Sequence, residues 1–160
     1  MENGRELGEL ALRAGEVHLL PVDEIGEEGI LVTCSYVGAP AAKDLCVRPE
    51  AYVRAVEVLK RETGMTIAGL ISNECGGTAT TNAWLQAASL GLPVVDAPCN
   101  GRADPTGMMG SMGLHAQAGY VSQQAAAGRD AGAGRYVEMS VSGSLETTSG
   151  LVRQAAVRAV

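Results

Sequence analysis

Apolar positions along the chain switch between helical spacing and short continuous runs, and that switching predicts its elements. Residues 5–14 carry the pattern of a short amphipathic helix that stops at Gly15, a C-terminal cap. Val17 to Val22 is a short apolar strand interrupted by Pro21, which places it at a sheet edge. The run Gly29 to Val37 is β-rich and nearly continuous, the mark of a buried strand. Residues 38–48 follow as a loop. Pro49 to Thr63 is the clearest helix, with proline in its first turn and Gly64 after its end. Met65 to Ser72 predicts a buried strand, Asn73 to Gly77 a turn, residues 78–90 a helix ended by Gly91, and Pro93 to Ala97 another strand.

This α-β-α-β alternation with short loops implies a largely parallel or mixed sheet in a three-layer α/β fold, with the chain as a single domain over residues 1–160. Residues 98–134 are rich in Gly, Ala and Met. A segment of that length in a compact domain is functional or hides elements of its own. Arg135 to Ser142 predicts a strand, and Ser144 or Thr147/Thr148 opens a final helix running to Val160 without a cap.

Composition narrows the function. A net charge of -6 disfavours phosphate backbones, so no nucleic-acid partner is expected. Apolar residues at 46% exclude a disordered chain. No apolar run reaches the roughly 18 residues of a membrane helix, and the polar start Met1 to Glu6 predicts no signal peptide. A cytoplasmic protein is expected, with no membrane partner. Phe is absent and aromatics are only 3%, so the core has few large anchors and a partner surface is expected to help complete it. Cys34, Cys46, Cys75 and Cys99 share no metal-type spacing, so a zinc site is not predicted and free thiols are. No phosphate-loop, dinucleotide or nucleophile-elbow motif is present, and no cofactor is expected.

Two loops carry the candidate chemistry. Asn73-Glu74-Cys75-Gly76-Gly77 follows a strand and opens a helix, the place where parallel sheets collect ligands. Glu74 can move protons there, Cys75 can attack, and free N–H groups after Gly76-Gly77 can hold an oxyanion. Its plain alternative is a tight turn with a packed thiol. Asp96-Ala97-Pro98-Cys99-Asn100-Gly101-Arg102-Ala103-Asp104 follows the next strand and can face the first loop across a crevice. Arg102 can grip a carboxylate or carbonyl with two hydrogen bonds, and Cys99 is the favoured nucleophile by neighbourhood. Its alternative is an ion-paired loop. Asn73 and Asn100 join the substrate-binding candidates. His115 is an acid-base candidate or a structural residue. Met108, Met109 and Met112 line a pocket, a core or a subunit contact.

The strings Leu70 to Gly77, Leu85 to Ala97 and Gly101-Arg102-Ala103 together resemble the N-terminal domain of the S-methyl thiohydantoin desulfurase family, the hydantoinase-like proteins once grouped as DUF917. The resemblance covers roughly residues 15–120, and Glu74, Gly76, Gly77, Asp96, Gly101 and Arg102 match its motifs. Members of that family are usually two-domain proteins about twice this length, so the chain reads as a single-domain variant, and the resemblance implies action on cyclic ureide or thiohydantoin rings. Pro98 and Cys99 stand where the family has an acidic residue and a glycine, Asp104 where it has an aromatic, Thr106 where it has a glutamate, and Ala79 where it has an asparagine. Cys99 is thereby a candidate replacement for a lost acidic group.

The expected function is a half-enzyme that hydrolyses, desulfurises or hydrates a small polar ring, its site shared with a second subunit or with identical copies. The alternatives are a non-catalytic subunit and a metal-dependent enzyme with Glu74, Asp96, Asp104 or His115 as ligands.

Overall fold

The computed structural model describes residues 2–38, 47–101, 106–129, 132 and 134–159. The protein is a mixed α/β structure with one parallel and one antiparallel sheet. It divides into two compact units.

The first unit comprises residues 1–36, 65–105 and 109–112. It holds α1 (Glu2–Ala14), β1 (Leu19–Leu20), β2 (Ile30–Cys34), β3 (Ile67–Ser72), α3 (Gly77–Thr80), α4 (Asn82–Leu90) and β4 (Val94–Pro98). Its sheet runs β1-β4-β3-β2 with every neighbouring pair parallel. Central β3 is buried along nearly its whole length, as its Ile-Ala-Gly-Leu-Ile run dictates. The strand at Leu19 sits at an edge, where Pro21 costs no ladder hydrogen bond. The strand read as buried over Gly29 to Val37 is shorter, Ile30–Cys34, and forms the other edge, so only Cys34 in it is buried. An apolar run does not tell an edge from a centre.

The helix expected over 78–90 is broken at Thr81 into one turn, α3, and the longer α4. Thr81 Oγ1 is drawn away to the Gly4 carbonyl of α1 at 3.0 Å, and Asn82 starts the second piece. Asn82 is 1% exposed. With its amide oxygen turned toward β2 it accepts from Ser35 N at 3.3 Å and Tyr36 N at 3.1 Å. One buried side chain thus ties α4 to the chain leaving β2. Gln86 Oε1, one turn further on, is buried without a hydrogen-bond partner among the described residues.

Helix α1 packs on α3 and α4 through small residues. A methyl on Gly15 would stand 2.9 Å from the Ala88 carbonyl oxygen, so this glycine serves close approach as well as ending the helix. Gly64 and Gly91 do adopt the left-handed conformation of helix caps, with φ of 67° and 65°.

The second unit comprises residues 37–64, 106–108 and 113–160. It contains α2 (Pro49–Thr63), β5 (Ser122–Gly128), β6 (Val137–Gly143) and α5 (Leu145–Arg158). The antiparallel β5–β6 ladder packs against both helices. Strand β5 is the element hidden in the long Gly/Ala-rich segment. Its interior is partly polar: Gln124 Nε2 donates to Thr148 Oγ1 at 2.9 Å and to Ser149 Oγ at 3.2 Å. Ser144 caps α5, its Oγ accepting from Thr147 N at 3.3 Å, and the helix ends at Arg158. Among the described residues no helix is long and apolar enough to cross a membrane.

Candidate functional site

Parallel strands end on the same side of a sheet, so the residues after β2, β3 and β4 meet there. Backbone hydrogen bonds lace these ends together beyond the regular ladder. Asn73 N donates to Cys34 O at 3.1 Å, Cys99 N to Ser72 O at 3.1 Å, Asn100 N to Asn73 O at 2.8 Å, and Cys75 N to Gly101 O at 2.8 Å. The two loops singled out in the sequence therefore do face each other. Arg102 and Asp104 lie outside the described residues, as does Cys46.

A cleft of about 80 Å³ opens at this end of the sheet, with Glu74, Cys75, Trp84 and Asp96 in its lining. Glu74 is half-buried, while Cys75 and Asp96 are exposed. The Gly76-Gly77 turn differs from its expectation. The helix it opens is only the four residues of α3, too short to build a macrodipole, and Gly76 N is already bonded to Thr80 Oγ1 at 3.1 Å.

The thiols separate by environment. Cys34, Cys75 and Cys99 are free, but only Cys75 is exposed. Burial pushes Cys34 up to about 12, helped by the nearby Cys99. Burial also raises Cys99, against the opposing effects of a Thr33 Oγ1 contact at 3.2 Å and its own backbone N–H. A raised, buried thiol is a poor source of thiolate. Asn73 is buried, and its amide oxygen accepts from Asn100 Nδ2 at 2.6 Å. These two candidate ligand-binding amides thus bind each other.

His115 is exposed in a short 3-10 turn of the second unit and does not line the cleft. Among the described residues no group of three or more His, Cys, Asp or Glu is placed to hold a metal ion. Trp84, which no motif marked, is brought to the cleft by the start of α4.

A larger cleft of about 660 Å³ lies in the second unit, with Arg48, Arg54, Arg129 and Tyr136 among its lining. Arg54 there is committed to Glu138 through two hydrogen bonds of 2.8 and 3.0 Å. That pairing holds the Glu138 carboxyl at about 2, well below the carboxylate range. It reads as a structural ion pair, and no cysteine is among the described residues that line this cleft.

The first unit is thus a parallel α/β unit with polar residues gathered at its strand ends, and comparison with known proteins gives its family. The chain belongs to the family described as S-Me-THD-like, N-terminal domain, whose model matches residues 1–131. No curated protein matches the sequence. Among solved structures it is similar to a protein from Chromobacterium violaceum determined by X-ray crystallography, with 27% identity and a TM-score of 0.59. The match covers 91% of this chain and 42% of that one, so the chain spans less than half the length of this neighbour.

Proposed function

We propose that this chain is one half of an enzyme acting on a small cyclic ureide or thiohydantoin-like ring, with the site completed by a second subunit. The observation that carries the proposal is the strand-end cleft. Glu74, Cys75 and Asp96 converge on a space of about 80 Å³. Pockets that enclose small ligands usually measure roughly 300–1,000 Å³. A surface from another chain would supply the missing walls. Family membership supports the substrate class.

In the proposed reaction, water adds to a C=O, C=S or C=N carbon of the ring. Glu74 takes the proton released by the water. In hydrolysis or desulfurisation that proton passes to the departing nitrogen or sulfur as its bond to carbon breaks; in hydration of C=N it passes to the ring nitrogen, and no group leaves. Arg102 holds a carboxylate or carbonyl of the substrate. Where a thiolate attacks instead of water, exposed Cys75 is favoured over buried Cys99. The free thiols fit a reducing compartment, and we place the protein in the cytoplasm. Co-expression with neighbouring genes of its host, followed by assay of hydantoin and S-methyl thiohydantoin, tests the proposal. Turnover by a stoichiometric complex supports it, and a fully active isolated chain removes the need for a second subunit.

A second reading is a non-catalytic subunit that stabilises a catalytic chain. It is favoured by the burial of Cys99 and by the mutual bonding of Asn73 and Asn100. Under it, turnover of the complex survives Glu74→Gln and Cys75→Ser together.

A further inference from the structure

The amide pair that joins the ends of β3 and β4 has a third member. Asn100 Nδ2 donates to Asn73 Oδ1 at 2.6 Å and also lies 3.2 Å from Met109 Sδ, while Asn100 Oδ1 accepts from Ser111 Oγ at 3.4 Å. A thioether and an amide oxygen only accept, so the Asn100 nitrogen must be the atom that faces them both. Met109 has a φ of 51°, a conformation uncommon for a residue with a side chain. In that conformation it packs on the buried cluster of Ile71, Val95 and Cys99.

We infer that Asn73, Asn100 and Met109 form a clasp that controls access to the Cys99 thiol. Asn100 is the positioning residue: its one nitrogen ties Met109 to the end of β3 and so keeps the cluster covered. The conformational cost at Met109 makes the cover releasable, because the covering state is held by side-chain bonds against a backbone preference. A ligand or partner surface that draws Met109 away would expose a thiol that is otherwise silent. This inference concerns access alone and does not depend on the reaction proposed above.

Peptide-resolved iodoacetamide labelling of the intact folded chain at about pH 8, close to the free-thiol pKa, tests it. Asn73→Asp keeps the acceptor and Asn100→Asp removes the donor, so the two changes should differ. Cys99 labelling should speed up about tenfold in Asn100→Asp, the worth of one hydrogen bond to the opening equilibrium, and less than about twofold in Asn73→Asp. Met109→Ala should also accelerate Cys99, independently of the amides. Cys34, buried on β2, serves as the control and should label equally slowly in every variant. Equal responses in the two Asp variants, no response to Met109→Ala, or Cys34 rising in step with Cys99 would overturn the clasp.

Discussion

Gly4 of α1 sits against the backbone of Gly77, where a methyl group in place of its hydrogen would stand 2.8 Å from the Gly77 carbonyl. The first turn of α1 is thus pressed onto the turn that follows Glu74 and Cys75. Four residues on, a methyl at Gly8 would meet only Thr81 Cγ2, at an ordinary 3.6 Å. The two glycines therefore predict opposite results. Gly8→Ala should stabilise by about 0.5–1 kcal/mol through helix propensity. Gly4→Ala gains the same propensity but must push α1 off α3, and overpacking of that kind costs about 1–3 kcal/mol. Urea denaturation should show one variant more stable than wild type and the other less.

Asn82→Ala should destabilise by about 1–2 kcal/mol, because it removes two hydrogen bonds made by a buried side chain. Their donors are Ser35 N and Tyr36 N, at the exit of β2. Denaturant titration measures the loss, and hydrogen exchange should localise it to Ser35 and Tyr36.

The Arg54–Glu138 pair sets a pH window. Glu138 is held at about 2, below its ordinary 4.5, so its contribution is fully present above about 4.5 and is lost as the pH falls toward 2. Wild type should have a higher Tm than Glu138→Gln near neutral pH, with the gap closing through that window. A constant gap down to pH 2 would mean that the charge of Glu138 is not what matters.

Thiol chemistry should follow exposure. In the native chain, iodoacetamide should modify Cys75 before Cys34 and Cys99, which stay protected until the protein is unfolded. Mass mapping of the labelled peptides reads this directly.

Much of the fold was legible because its signals were local. Pro49 and Gly64 bracket α2 at the residues observed, and the Ile-Ala-Gly-Leu-Ile run identifies the central strand. Strand β5 was not legible, because Ser-Gln-Gln-Ala-Ala-Ala-Gly has no β-branched or aromatic residue. It is a strand because it pairs with β6 and packs on α2 and α5. The break at Thr81 was hidden too: the Thr81 hydroxyl bonds to Gly4, 77 residues away in the chain, a contact no local pattern marks. The placing of the two candidate loops at the strand ends followed from the α/β alternation. The ranking of their thiols did not, since sequence neighbourhood favoured Cys99 and burial reverses that order. Trp84 carried no motif and became visible only once α4 was placed beside the end of β4.

The central claim is that Glu74 and its strand-end neighbours form half of a shared active site. Its most direct test is turnover of S-methyl thiohydantoin by three samples: the isolated chain, the chain purified with its co-expressed partner, and that complex carrying Glu74→Gln. The account predicts no turnover alone, turnover in the complex, and a loss of about 10²-fold or more in the variant while native mass shows the complex intact. An isolated chain as active as the complex, or a Glu74→Gln complex as active as wild type, would contradict it.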